Sequence, residues 1–309
     1  DDARSLDTRR GALWALTRIE HPDSRAAVRR ALGSRETSLR QVALHGVALE
    51  RDAEALSALT SLVASDEPPL RLKAAEALGR IGRPAAVAAV LESLRQGVTD
   101  RFLEHALIFA LVRIDDRSST LTALTDPNPN VRRAGLVALD QMPTGKLTRD
   151  LVVPMLNTDD PELQQTALEV ISRREGWSAE IVGLVSKWLV HPRLTVEQAR
   201  SLTGALIAFS TEENIQQLVT DAMDDPKTVD QTRLLLLEVM ARCRLYDLPA
   251  SWLETLRRVL LDSDDRLCSE AVATIRSRSL SGLDKQLGDL RQDEKRPAAL
   301  RIAALECLA

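Results

Sequence analysis

The residues that could do chemistry are few and far apart. His21, His45, His105 and His191 are the only histidines, and none sits in a His-x-x-x-His or Glu-x-x-His spacing. Glu104 and His105 are adjacent, so on a helix their side chains diverge by about 100° and do not converge on a metal. The three cysteines, Cys243, Cys268 and Cys307, are odd in number and widely spaced. That pattern fits neither a disulfide framework nor a zinc site. They read as small buried thiols, with a Cys243–Cys268 bridge as the alternative, and they leave the redox compartment open. Asp115-Asp116, Asp159-Asp160, Asp224-Asp225 and Asp264-Asp265 are paired carboxylates, but each pair falls in a turn, where helix capping is their expected work. Gly-x-x-x-x-Gly-Lys, Gly-x-Gly-x-x-Gly and Gly-x-Ser-x-Gly are all absent from the sequence, so neither a phosphate-cradling loop nor a nucleophile elbow is indicated. The sequence therefore predicts no catalytic residue, no metal site and no cofactor, and a chain that is not an enzyme.

Composition says what scaffold holds these residues. Of the 309 residues 44% are apolar but only 3% aromatic, with a single Tyr. A β-sandwich leans on aromatic and β-branched residues, whereas Ala, Leu and Arg favour helix. The formal charge is −4; residues 1–150 hold 22 Lys and Arg against 20 Asp and Glu, and the remainder 19 against 25. Neither part carries the basic excess of a nucleic-acid binder. No apolar run approaches the ~20 residues of a membrane span. The sequence opens on Asp1, as expected of a processed or excised piece.

One stretch recurs. Asp126-Pro127-Asn128-Pro129-Asn130 is a polar, proline-rich turn that runs into Val131-Arg132-Arg133-Ala134-Gly135-Leu136-Val137-Ala138-Leu139, a small-residue amphipathic helix. Positions comparable to Val131 are Thr8, Leu39, Leu70, Leu103, Leu163 and Leu300, with looser matches near Val196, Val229 and Leu267. The spacing of about 28 to 38 residues is that of a repeat array. Further helices are expected between the anchors, over 24–32, 53–64, 84–95, 146–156, 179–189, 212–223 and 251–261. Ser65-Asp66-Glu67-Pro68-Pro69 and Asp159-Asp160-Pro161 punctuate the turns. The reading is a run of about ten helix pairs in one continuous body over 1–309.

The turn-Val/Leu-Arg-x-x-Ala-Leu-x-Ala-Leu pattern resembles HEAT repeats of the short kind seen in phycocyanobilin-lyase-like proteins. The resemblance is strongest over 1–175 and 295–309. It implies an all-α, right-handed α-solenoid with its second helices lining the concave face. More narrowly, Asp100–Leu111, Asp126–Met142, Gly176-Trp177 and Trp188-Leu189 resemble the HEAT segment of large extracytoplasmic bacterial proteins. In that family a dehydrogenase-like propeller precedes the HEAT segment and a c-type cytochrome domain follows it. The family's haem motif, Cys-x-x-Cys-His, is absent from this sequence, so neither haem nor redox activity carries over. The resemblance implies a periplasmic or other extracytoplasmic setting.

A helical wheel divides the Val131 helix into jobs. Val131, Ala134, Gly135, Ala138 and Met142 face the repeat's own partner helix. Leu136 lies where the next repeat stacks, as do Leu13, Leu44, Ala75, Ile108, Leu168 and Leu305. Arg9, Arg40, Arg71, Arg132 and Arg301 form a ladder expected to bond turn carboxylates or carbonyls, the alternative being a basic track for phosphates. Glu104 interrupts that ladder and fits a cross-repeat ion pair. Arg133, Val137 and Asp140 remain outward. Their equivalents give an expected partner-contact ridge of Arg10, Trp14, His45, Phe109 and Arg133, since Trp, Phe and Arg are interface-enriched types. The competing expectation is that Trp14 and Phe109 tuck between helices; Trp177, Trp188 and Trp252 are expected in the core. Leu305, Cys307 and Leu308 end the last helix without a polar cap, which suggests a following repeat or domain.

Function follows from the ridge. The expectation is a non-enzymatic scaffold that holds a protein partner, or neighbouring domains of its own parent chain, with no nucleic acid bound. The alternatives are a bilin-lyase-like enzyme and a nucleic-acid-binding module like the HEAT-like DNA glycosylases.

Overall fold

The computed structural model describes residues 5–64, 67–98 and 100–308. Asp1 and the Ser65-Asp66 part of the expected turn lie outside the described residues. Among the described residues the chain is all helical, with nineteen α-helices and no strand. It divides into two compact units, Asp1–Leu151 and Val152–Ala309.

The first unit holds α1 (Leu6–Leu16), α2 (Pro22–Ala31), α3 (Thr37–Leu49), α4 (Leu56–Val63), α5 (Pro68–Ile81), α6 (Val87–Arg95), α7 (Arg101–Ile114), α8 (Arg117–Leu121) and α9 (Pro129–Gln141). The boundary falls inside the short α10 (Arg149–Val152). The second unit holds α11 (Pro161–Ser172), α12 (Ser178–Leu189), α13 (Val196–Ala208), α14 (Glu213–Asp224), α15 (Asp230–Arg242), α16 (Ala250–Val259), α17 (Asp265–Ser277), α18 (Asp284–Gln292) and α19 (Ala298–Leu308). In the first unit α1, α3, α5, α7 and α9 stack in order as one layer, while α4 and α6 pack beneath; in the second, α11 to α19 stack by odd numbers and α12, α14 and α16 by even. This is the two-layer packing of a HEAT-type solenoid.

Each of the ten anchored helices forms. Leu39, Leu70, Leu103, Val131, Leu163, Leu267 and Leu300, each third in its helix, are buried. The loose matches are corrected by burial. Val196 opens α13 and is exposed, and Val229 caps α15, while Thr232 takes the buried third position of α15. Three second-layer segments also differ. The expected helix over 146–156 is α10 followed by a 3₁₀ turn, Val153–Asn157, because Pro154 lacks the N–H that an α-helix interior needs. Two helices went unread. α8 is Ser/Thr-rich, and its Thr120 hydroxyl donates back to Asp116 O at 2.8 Å, the local competition that lowers helix propensity. α18 buries only Leu287 and Leu290.

The Asp126 turn shows how repeats are joined. Asn128 caps α9 by accepting the Asn130 N–H at 2.9 Å, with Pro129 at the first helical position. Asp126 accepts the Asn128 N–H at 2.9 Å and is held by Arg95 of α6 at 2.7 and 2.8 Å. Burial pushes the Asp126 carboxyl up. The Asn128 N–H, Arg95 and Arg132 outweigh it and hold the group below its ordinary value. Arg132 Nη1 donates to Asp126 O and Pro127 O at 2.7 and 3.0 Å. The same fourth helical position is used elsewhere for the same purpose. Gln164 donates to Leu156 O at 2.7 Å, Arg233 to Asp225 O at 3.2 Å, and Arg301 to Arg291 O at 3.0 Å. In α17 the position holds Cys268, whose thiol lies 3.2 Å from Val259 O and 3.3 Å from Asp262 O; burial raises its pKa, so it is an inert donor rather than a nucleophile. Arg40 reaches the next repeat's Glu67 at 2.6 Å, and Arg71 donates to Ser93 O at 2.7 Å. Arg9 is half-buried at the corresponding place in α1.

Of the carboxylate pairs, Asp160 and Asp264 cap α11 and α17. Asp224 corrects the turn expectation: it closes α14 and pairs with Arg258 at 2.6 Å.

Two predictions follow from this packing. A Cβ on Gly135 would lie 2.4 Å from Ala123 Cβ, whereas one on Gly183 meets nothing within 4 Å. Ala123 has no side-chain torsion with which to move away, so overpacking wins at Gly135. Gly135→Ala should destabilise the first unit by about 1–2 kcal/mol, and Gly183→Ala should stabilise the second by about 0.5–1 kcal/mol, both read by urea unfolding. Asp126→Asn should cost about 1–3 kcal/mol at pH 7. With a folded pKa below 3.8, the carboxylate's contribution is complete above that value and is lost as pH falls through the folded pKa. Acid titration of stability should therefore flatten below about pH 4 in the variant.

Candidate partner-binding surface

The odd-numbered helices bury one side and leave a stripe facing out. Counted from the first residue of each helix, positions 2, 5, 9 and 13 fall on that stripe, as 3.6-residue periodicity requires. In α1 these include Arg10 and Trp14, in α3 Gln41 and His45, in α5 Leu72, Glu76 and Arg80, and in α7 Phe102, His105, Phe109 and Arg113.

Trp14 is 41% and Phe109 50% exposed, so neither tucks between helices. Trp14 leans on His45, ring centroids 5.1 Å apart and tilted at 56°. His105 stacks on Phe109 at 6.3 Å and 11°. Arg10 pairs with Asp7 at 2.9 Å. Arg133 corrects its expected freedom: its guanidinium binds Glu104 of the neighbouring repeat, because the interrupted ladder position places a carboxylate within its reach. Asp140 is likewise engaged.

Sequence reasoning missed Phe102, Arg80 and Arg113. Phe102 is 77% exposed and stands seven residues, two turns, before Phe109; that spacing was the available signal. A groove of about 750 Å³ runs across α1, α3, α5 and α7, from Arg10 and Trp14 past His45 and Leu72 to Phe102. A second cleft of about 500 Å³ lies between α5 and α7, with Phe102, His105 and Phe109 on one side and Glu76 and Arg80 on the other. In the second unit the corresponding face of α13, α15 and α17 forms a groove of about 680 Å³, lined by Arg200, Ile207, Leu234, Leu235, Glu238 and Arg242 among others.

Residues 32–112 match the family model for HEAT repeats. That span runs from the end of α2 through most of α7 and includes the part of the groove lined by α3, α5 and α7, but not Arg10 and Trp14 of α1. A comparison with curated proteins finds no match. Among solved structures, Kap95 of the Kap95:Nup1 complex is 12% identical at a TM-score of 0.61, covering 100% of this chain and 50% of its own. The karyopherin Kap121p bound to the SUMO protease Ulp1p is 14% identical at 0.58, covering 94% and 37%. This chain thus spans half or less of either relative. At such identities the likeness is one of fold. The CpcE–CpcF complex of phycocyanin lyase from Nostoc sp. PCC7120 is 18% identical at 0.35, covering 75% and 92%.

The rest of the inventory is architectural. Trp252 and Trp188 are buried as expected, but Trp177 precedes α12 half-buried under Arg174, whose guanidinium carbon is 5.3 Å from its ring. Cys243 and Cys268 are free and buried, and Cys307 is free and half-buried. Ile108 is only half-buried and Leu305 is exposed on α19, so neither is fully covered as the expected stacking position requires. Among the described residues no three His, Cys, Asp or Glu side chains gather as a metal site, and no helix is long and apolar enough to cross a membrane.

Exposure gives a direct test. Trp14→Ala and Phe109→Ala should each change stability by no more than about 1 kcal/mol, since surface substitutions cost little. Trp252→Ala, which empties a fully buried site with an indole N–H bonded to Gln216 O at 3.0 Å, should cost about 3–5 kcal/mol. Chemical denaturation of the three variants separates these outcomes.

Proposed function

We propose that this chain is a non-enzymatic protein-interaction scaffold whose working surface is the outward stripe of α1, α3, α5 and α7. The carrying observation is the line of exposed rings on one stripe: Trp14 with His45 and Phe102 along one groove, then Phe102 with Phe109 in the adjoining cleft. Large rings left in water are costly, and exposed apolar grooves with polar rims mark interaction sites. Arg10 and His45 supply the polar contacts. Arg133 steadies the neighbouring repeat through Glu104 and contributes at the edge. The ladder residues Arg9, Arg40, Arg71, Arg132 and Arg301 are architectural, because those with hydrogen bonds described above spend their donors on carbonyls, hydroxyls and carboxylates of the fold. Fold relatives lend support by their complexes: Kap95 with Nup1, and Kap121p with Ulp1p.

In its narrower form the proposal takes residues 1–309 as one HEAT module of a larger extracytoplasmic redox-type protein, with neighbouring domains of the parent chain as the partner. The resemblance of Asp100–Leu111 and Asp126–Met142 to that family supports this. The haem or dehydrogenase chemistry would belong to those other domains.

The test is the double variant Trp14→Ala, Phe109→Ala in the full chain. A protein or domain that copurifies with the native chain should bind the double variant at least tenfold more weakly, while the melting temperature stays within a few degrees. Equal binding by both, or an unfolded variant, removes this surface from the function.

A further inference from the structure

The cleft between α5 and α7 carries positive charge with no counterpart. Arg80 and Arg113 stand at position 13 of their helices, both exposed, and among the described residues neither makes an ion pair or hydrogen bond. Gly79 brings the two helices together: a Cβ there would lie 3.0 Å from Ala110 Cα and 3.4 Å from Arg113 Cβ. The close approach sets the two guanidinium stems on the walls of one cleft. Glu76 is the single carboxylate lining that cleft, and Lys73 already holds it at 2.8 Å. A helix C-terminus favours a cation, but α3 and α9 carry Leu49 and Gln141 at the same position. The helix end alone does not require arginine here.

Resting on the reading of this face as a protein-binding surface, we propose that the cleft takes an acidic–apolar segment of the partner. An aliphatic or aromatic side chain lies against Phe102 and the His105–Phe109 stack, and a carboxylate nearby on the same segment faces Arg80 and Arg113. Guanidinium groups bind carboxylates in bidentate geometry, and the aromatic walls exclude water from the pair. Nucleic acid fits less well. Two cations do not make a phosphate track, and Asp100 at the edge of the adjoining groove would repel the backbone.

The probes are dodecapeptides selected by phage display on the full chain, with labelled single-stranded oligo-dT of twelve nucleotides as a second ligand. Selected peptides should share an Asp or Glu beside an apolar residue. They should bind Arg80→Glu, Arg113→Glu about tenfold or more weakly, and peptides with Lys in place of the acid should recover on that variant. That rescue shows the variant is folded; should it unfold, Arg80→Gln, Arg113→Gln is used and must lose affinity for the acidic peptides. Peptides that depend on Trp14 and Phe109 but show no acidic preference, and bind the charge variants unchanged, would overturn the acidic class and leave the protein-binding face standing. Peptides indifferent to both sets of substitutions would overturn both. Oligo-dT binding that is lost on charge reversal, with no peptide so affected, would make the cleft a phosphate site and overturn the proposal.

Discussion

Everything on the outward stripe depends on how near neighbouring helices come to one another. Gly135 packs on Ala123, Gly79 on Ala110 and Gly46 on Thr17, while Ala43, Ala74, Ala75, Ala77, Ala134 and Ala138 are buried at the seams. Small side chains at contact points let helices approach closely, and dense packing of Leu, Val and Ala then supplies the apolar burial. A core built this way has little room for rings. Of four Trp, three Phe and one Tyr, only Trp188, Trp252 and Phe209 are buried. The remaining rings stand at or near the surface, and three of them fall on one stripe of the first unit.

The fourth position of the odd helices links that packing to hydrogen bonding. The carbonyls at the end of one helix and in the following turn lack intrahelical donors. Arg132, Gln164, Arg233, Cys268 and Arg301 each direct a donor at such carbonyls. The geometry of the slot is shared while the chemical group varies from guanidinium to amide to thiol. Where the slot holds Glu104, the donor comes from the neighbouring repeat as Arg133. A ridge residue is thereby drawn into the architecture.

Periodicity made the helices legible wherever apolar positions are strong. All ten anchored helices, the buried Val131, Ala134, Gly135 and Ala138, and the outward Trp14, His45 and Phe109 could be read from spacing alone. Where the signal is weak, reading failed for identifiable reasons. Ser and Thr in α8 bond their own backbone, α18 buries only two leucines within its span, and Pro154 turns an expected helix into 3₁₀. The site was half legible. Phe102 precedes the Leu103 anchor and so fell outside the positions compared along the repeat, and the placing of Arg80 and Arg113 on one cleft depends on Gly79, a contact that no spacing announces. Glu104 could be read as one half of a cross-repeat ion pair, but that Arg133 is its partner is a relation between repeats that a wheel drawn for one does not show.

Within each unit the substantial helix contacts run between near neighbours along the chain. Stability in such an array is a sum of local terms, and opening is graded along its length rather than all-or-none. The Arg95–Asp126 bond then acquires a meaning beyond its own strength. It ties α6 to the turn before α9, skipping over α7 and α8, like a rivet through adjacent plates. Fastened this way, the repeats on either side of α7 are tied by a directional polar bond as well as by apolar packing, which constrains how one can slide past the other.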